Sequence, residues 1–325
     1  MKKIALAAAA LMLVSFAFVP AWAAEKEKVK IVIGISQIVE HPSLDEIRKG
    51  FIDYLAENGY KEGENVTYDI NIAQGDMSAS ALIADKLVGM NPDLILSIST
   101  PSSQPLVHAT DTIPILFAAV TDPVAAGLVS SLAGGGKNVT GTSYVTPVDR
   151  HFDLIHEIVP GAKKVGIIYN AGEANSVTYM TWAKKEAARL GMELVEATVT
   201  NSGDVMAAAE SLVGRVDVIH IPTDNTVTSA FESVTKVCED NMIPLFASSV
   251  LSVERGAMAA VAIDPYRLGR QTGAMARERL KGKKPGDMPV EILKVFLLYV
   301  SVPAAKKYGV TIPQDVIKRA DVVIR

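Results

Sequence analysis

The sequence predicts an α/β protein with two Rossmann-like lobes, whose parallel sheets are joined by a multi-strand hinge. Three observations support this fold class. Apolar strands alternate with amphipathic helices along nearly the whole chain, which is the pattern of βαβ units. The pattern then runs a second time, so that Gly34-Ile35 returns as Gly166-Ile167. A 325-residue chain with 49% hydrophobic residues is also long enough for two cores.

The first run of the pattern predicts strands at 29–35, 66–72, 94–98 and 113–120. Pro42 opens the first helix, which carries apolar residues at helical spacing and ends at Asn58-Gly59. Further helices are expected at 79–88 and 105–109. The chain should cross to the second lobe near 142–147.

The second run predicts strands at 163–169, 216–221 and 257–263. A helix at 264–280, an extended apolar run at 290–300 and short helices at 303–308 and 314–319 follow. This tail is too small for a third domain, so we expect it to cross back and complete the hinge. The predicted first lobe therefore comprises 29–143 plus 264–298, and the second comprises 144–263 plus 299–325.

The N-terminal pattern predicts a cleaved signal peptide over residues 1–23. Lys2 and Lys3 precede the apolar stretch 4–19, and Ala21-Trp22-Ala23 fits a cleavage site. The alternative is a membrane anchor, but the stretch is short for a spanning helix, which needs about 20 apolar residues. No cysteine lies nearby to carry a lipid. We therefore expect a soluble protein that an outer membrane retains in the periplasm.

Polar side chains follow the predicted strands, at the sheet edge where open α/β proteins bind ligands. The candidate ligand-binding residues are Gln37, His41, Leu44, Asp45, Thr100, Pro101, Thr121, Asp122, Tyr169, Asn170, Glu173, Asn175, Ser176, Thr223, Asp224, Asn225 and Asp264. Ser248 and Ser249 occupy the equivalent position after a further strand. Helix capping alone would explain about half of them, since Ser, Thr, Asp and Asn are the preferred caps. Acids outnumber bases, which suits a zwitterionic ligand.

Several function classes lack their sequence signals. The chain has no G-x-G-x-x-G motif, P-loop or G-x-S-x-G elbow, so we expect no catalytic residues, cofactor or enzyme activity. His151 and His156 fall on different helix faces, and the single cysteine, Cys238, sits in an apolar stretch, so no metal site is expected. A net charge of -4 does not indicate the basic surface that binds nucleic acid.

The mature chain resembles the periplasmic ABC-transporter substrate-binding proteins related to the tryptophan/tyrosine transport component, within the type I periplasmic binding fold. The segments that carry the resemblance are 34–37 with 41–45, 121–124, 169–176, 223–225, 264–269 and 309–313. The resemblance implies an α-amino acid, aromatic in character, held in a closed cleft. It also implies a permease and an ATPase as partners of a monomeric receptor.

Two hypotheses about the ligand follow. Asp224 or Asp264, with Glu173 in reserve, would bind the ammonium group, while Tyr169, Leu44 and Pro101 would form an apolar pocket. The alternative is that the acids merely cap helices. A nucleoside, a branched-chain amino acid or a sensory role also remains open.

Overall fold

Two β-sheets organise the protein. The structure is a computed structural model that describes residues 30–134 and 137–325. The predicted signal peptide lies outside these residues. The first sheet has the strand order β11-β5-β4-β3-β1-β2, and all its pairs are parallel. Its strands are β1 Ile31–Gln37, β2 Val66–Ile72, β3 Leu94–Ile98, β4 Ile115–Val120, β5 Val139–Ser143 and β11 Glu291–Ile292.

The second sheet has the order β13-β12-β10-β9-β8-β6-β7. Its strands are β6 Lys164–Asn170, β7 Glu193–Val199, β8 Val218–Ile221, β9 Leu245–Ala247, β10 Ala259–Ala262, β12 Leu297–Ser301 and β13 Val322–Ile324. One pair departs from the predicted parallel arrangement, because β12 runs antiparallel to β10. This strand enters from the other sheet rather than through a βαβ crossover, so the crossover rule does not fix its direction.

Helices pack on the faces of both sheets. They are α1 Pro42–Glu57, α2 Met77–Met90, α3 Thr100–Ala109, α4 Val148–Ile158, α5 Ala174–Arg189, α6 Val205–Glu210, α7 Asn225–Ser229, α8 Phe231–Asp240, α9 Pro265–Leu280, α10 Val302–Lys307 and α11 Gln314–Arg319. Cys238 is fully buried on α8. Within the described ranges, no helix is both long and apolar enough to cross a membrane.

The third helix begins five residues earlier than the sequence indicated. Pro101 sits in its first turn, where a missing N–H costs nothing. Pro105 lies inside the helix and cannot donate to the Pro101 carbonyl. The Ser80 hydroxyl donates to that carbonyl instead, at 3.1 Å. A side chain of the neighbouring helix α2 therefore offsets the break that a second proline would cause.

Three segments connect the sheets: one between β5 and α4, one between β10 and α9, and one between β11 and β12. The last splits the predicted extended run at 290–300 into two short strands of different sheets. The division of the chain into lobes stays a prediction. The proposed boundary between the lobes, at 298/299, falls inside strand β12, which pairs entirely within the second sheet.

Candidate functional site

A cavity of ≈ 50 Å³, partly open to solvent, lies where the carboxyl ends of the two sheets face each other. The residues that line it are His41, Ser43, Leu44, Ile47, Ala119, Thr121, Tyr144, Asn175, Pro222, Thr223, Asp224, Asn225, Thr228, Ser248 and Ser249.

The first lobe contributes the start of α1. His41 is the N-cap residue, and the loop before it is held by Gln37, whose amide donates to the Val39 carbonyl at 2.8 Å and to Asp45 at 2.9 Å. Gln37 is itself fully buried, so it shapes the site from behind rather than lining it. Burial lowers the pKa of His41 to about 4, which leaves the imidazole neutral at neutral pH.

The apolar part of the cavity comes from Leu44 and Ile47 on α1, with Tyr144 opposite them after β5. Tyr144 is buried, and its hydroxyl donates to the Ser248 carbonyl at 3.4 Å. Burial raises the pKa of the Tyr144 phenol, so the group stays protonated. The aromatic residue at the cavity is therefore Tyr144, which the sequence analysis did not single out.

Asp224 brings a buried carboxylate to the second-lobe wall. It is the N-cap residue of α7, and its Oδ1 accepts from the Val227 N–H at 2.8 Å. Its Oδ2 accepts from the Asn170 N–H at 2.6 Å and the Ser176 hydroxyl at 2.7 Å. Burial, and then the nearby Glu173 carboxylate, raise the pKa of Asp224 to about 7.

Glu173 lies behind this wall and caps the same helix. Its Oε1 accepts from the N–H and hydroxyl of Thr226, at 2.9 and 2.8 Å. Its Oε2 accepts from the N–H and amide of Asn225 and from the Asn175 amide. Five donors satisfy this carboxylate, and Glu173 does not line the cavity. It has little capacity left for a ligand.

Three buried polar atoms at the cavity have no hydrogen-bond partner among the described residues: His41 Nδ1, Asn175 Oδ1 and Thr223 Oγ1. Buried polar atoms are normally hydrogen-bonded, so three atoms without a partner at one site need an explanation. A polar ligand between the lobes would supply the missing hydrogen bonds.

The lining of the cavity contains no lysine or arginine among the described residues. The acidic wall therefore has no counter-cation of its own, and a ligand with a positive group would be favoured over an anion. Within the same residues, no three His, Cys, Asp or Glu side chains come together as metal ligands.

Seven of the seventeen candidates line the cavity: His41, Leu44, Thr121, Asn175, Thr223, Asp224 and Asn225. Asn170, Glu173 and Ser176 support its wall through the hydrogen bonds described above. Thr100 and Pro101 lie in the first turn of α3, and Asp122 caps a turn by accepting from the Val124 and Ala125 N–H groups.

Two further candidates take part in other interactions. The Tyr169 hydroxyl donates to Glu196 at 2.7 Å, outside the cavity. Asp264 caps α9 by accepting from the Arg267 N–H at 3.2 Å, and with Asp45 it lines a neighbouring hollow. Its position favours the capping hypothesis over the ammonium hypothesis for this acid.

Lining residues that the sequence analysis did not single out are Ser43, Ile47, Ala119, Tyr144, Pro222 and Thr228. Helical spacing from Leu44 could have identified Ile47, because residues three apart share a helix face. Tyr144 carried no such signal, since it follows β5, a strand of small and polar residues (VTGTS) that the sequence did not reveal.

Comparison with known proteins agrees with this architecture. The model of the ABC transporter substrate binding protein family matches residues 32–324. A tyrosine-binding protein of Clostridioides difficile is 47% identical over 261 residues, which are 80% of this chain and 76% of that protein.

Two solved structures are similar along their whole length. An ABC domain from Streptococcus pneumoniae in complex with L-Trp is 37% identical, with a TM-score of 0.87, over 91% of this chain and 100% of its own. A ligand-free, open substrate-binding protein from Clostridium difficile is 41% identical, with a TM-score of 0.67, over 90% and 99% of the two chains. With the family model covering nearly all of its described residues, the chain belongs to the ABC transporter substrate-binding protein family.

Proposed function

We propose that the protein is the extracytoplasmic receptor of an ABC importer and binds an aromatic L-amino acid, tryptophan or tyrosine, in the cavity between its lobes. The observation that best supports this proposal is the similarity to the L-Trp complex. The fold matches that complex with a TM-score of 0.87 but matches the ligand-free, open relative with only 0.67, despite the higher identity of the latter. This difference supports an arrangement of the lobes closer to that of the L-Trp complex than to that of the open relative.

The chemistry of the cavity supports an amino acid. Asp224 offers a buried carboxylate with no lysine or arginine beside it among the described residues that line the cavity, and it is our candidate for the ligand ammonium. His41, Asn175 and Thr223 each present an unpartnered polar atom for the remaining polar groups. Leu44, Ile47 and Tyr144 would contact the aromatic ring.

The remaining parts of the proposal concern the cell. We propose that the segment 1–23 is removed on export and that the mature monomer works in the periplasm. It would deliver its ligand to a permease driven by an ATPase, as the family membership supports.

Calorimetric titration against the twenty amino acids tests the ligand class. We expect tryptophan or tyrosine to bind and glycine not to bind. Tight binding of glycine or a branched-chain amino acid, without binding of tryptophan, phenylalanine or tyrosine, would refute the aromatic assignment. A nucleoside in the same panel tests the other ligand class.

A matched pair of variants tests the location of the site. Thr223→Val and Thr67→Val each remove a buried hydroxyl that has no partner among the described residues, but only Thr223 lines the cavity. Neither change should lower the melting temperature, because no hydrogen bond is lost. Thr223→Val should weaken binding about two- to tenfold, the value of one hydrogen bond. Equal affinities for both variants would place the ligand elsewhere.

A further inference from the structure

A buried cluster of His151, Tyr179 and His220 lies in the second lobe directly beneath the cavity. The three side chains come from α4, α5 and β8, and all are at most 2% exposed. The Tyr179 hydroxyl lies 3.1 Å from His151 Nδ1 and 2.6 Å from His220 Nε2. Ser248, which lines the cavity, has its hydroxyl 3.1 Å from His220 Nε2 and 3.3 Å from His151 Nδ1.

The direction of these hydrogen bonds follows from the fixed end of the cluster. His151 Nε2 lies 2.7 Å from the Val261 carbonyl, which can only accept, so this nitrogen carries the proton. Burial lowers the pKa of both histidines, His151 to about 4, and keeps them neutral. His151 Nδ1 is therefore an acceptor.

His220 has two possible tautomers, and its surroundings distinguish them. Its Nδ1 has no partner among the described residues, so a proton there would be a buried donor without an acceptor. A proton on Nε2 instead donates to the Tyr179 oxygen, and the Tyr179 hydroxyl then donates to His151. This assignment uses the two shortest distances from the Tyr179 hydroxyl to the imidazoles, 2.6 and 3.1 Å.

We propose that the chain His220–Tyr179–His151 leaves the Ser248 proton uncommitted and so makes Ser248 a hydrogen-bond donor to the ligand's carboxylate. The inference rests on the proposed function, because it assumes that the amino acid occupies this cavity. It makes His151, Tyr179 and His220 positioning residues that never touch the ligand.

Removal of the Tyr179 hydroxyl should change the role of Ser248. In Tyr179→Phe, His151 Nδ1 loses its donor, and the Ser248 hydroxyl is the remaining donor within reach. Ser248 then turns its proton inward and presents only an oxygen lone pair to the cavity. The effect on binding should therefore depend on the presence of both Ser248 and the ligand carboxylate.

The experiment is a double-mutant cycle with Ser248→Ala and Tyr179→Phe, titrated with L-tryptophan and with tryptamine, which lacks the carboxylate. L-Tyrosine and tyramine form a second pair. Ser248→Ala should weaken L-tryptophan binding about ten- to a hundredfold, the range for a hydrogen bond to a charged group. Tyr179→Phe should weaken it in the same direction, and the double variant should be no weaker than Ser248→Ala within about twofold. Tryptamine affinity should change little in any variant.

Tyr308→Phe is the matched control, because it removes another buried tyrosine hydrogen bond of the second lobe, 2.6 Å from the Gly256 carbonyl, away from the cavity. It should leave affinity unchanged, and melting temperatures will show that each variant folds. Additive effects of Tyr179→Phe and Ser248→Ala, equal losses for tryptamine, or full affinity in Ser248→Ala would overturn the proposal while leaving the proposed function intact. Failure of the parent protein to bind any aromatic amino acid would overturn both.

Discussion

Two buried acids, Glu173 and Asp224, stabilise one helix of five residues. A helix this short does not hold by itself in water, and its first N–H groups need partners. Glu173 accepts from the N–H groups of Asn225 and Thr226, and Asp224 accepts from that of Val227. Because the protein's own carboxylates use these amides, the amides at the start of α7 are not available to a ligand carboxylate. Another group of the cavity would then donate to that carboxylate, and Ser248 is our candidate.

The raised pKa of Asp224, about 7, predicts that binding of an ammonium group releases protons. The ammonium favours the ionised carboxylate, so it lowers this pKa in the complex. Affinity should therefore rise with pH up to about 7 and level off above it. If the pKa falls to about 5 in the complex, affinity should increase about tenfold from pH 6 to pH 8. Titration calorimetry in two buffers of different ionisation enthalpy counts the protons directly.

Asp224→Asn should abolish this pH dependence, while Asp264→Asn should keep it. The control also loses a helix cap, but its side chain lies outside the cavity. A flat profile in the parent protein would show that Asp224 does not meet the ligand charge. The stability of the free protein should change with pH in the opposite direction from the affinity. Because burial favours the protonated form, the free protein should lose stability as pH rises from 3.8, the ordinary value, through about 7.

At the scale of elements, glycines bring helices α1 and α9 into close contact. A Cβ atom on Gly269 would lie 2.0 Å from the Ile47 carbonyl oxygen, and one on Gly50 would lie 2.2 Å from that of Tyr266. Backbone atoms cannot move aside as flexible side chains do. Since α1 carries His41 and Leu44, this contact also fixes one wall of the cavity.

Gly269→Ala should destabilise the protein by about 1–3 kcal/mol, because the added methyl group forces the two helices apart. Gly89→Ala in α2 is the matched control. Nothing lies within 4 Å of its added Cβ, and the lower entropy of alanine should stabilise the helix by about 0.5–1 kcal/mol. Urea unfolding of both variants measures the difference. Equal stability of Gly269→Ala and the parent would show that the helices have room to separate.

The elements that could be predicted from the sequence are those with a strong local pattern. Strand β2 and the short helix α11 have the predicted bounds, and α1 begins at the predicted proline. Strands β5 and β13 were not predicted, because one is polar and the other is three residues long. Their pairing depends on neighbours distant in the sequence, which no periodicity reveals.

The same limit applies to the site. Strand ends could be located from the sequence, and they include His41, Thr121 and Asp224. Which of their side chains reach the cavity depends on pleat direction and on how the lobes face each other. Tyr169 lies next to Asn170 at the end of β6, but its hydroxyl contacts Glu196. Glu173 follows the same strand, but its carboxylate contacts the start of α7 behind the wall.

At the scale of the whole molecule, a hydrogen bond between two serines joins the lobes across the cavity. The Ser43 and Ser249 hydroxyls lie 2.7 Å apart, one on α1 and one after β9. A single hydrogen bond between neutral groups contributes only about 0.5–1.5 kcal/mol. This bond can form only when the lobes are together, and it is too weak to hold them there. Ligand contacts to both walls would supply the remaining free energy.

The last prediction therefore concerns closure. Without ligand, the three connecting segments should let the lobes rotate apart as rigid bodies, and an aromatic amino acid that contacts both walls should shift the population to the closed form. Small-angle X-ray scattering at saturating L-tryptophan or L-tyrosine should show a smaller radius of gyration than the free protein shows. Glycine at the same concentration is the control and should leave the profile unchanged. A closed profile in the absence of ligand would mean that contacts between the lobes suffice, and it would contradict ligand-driven closure.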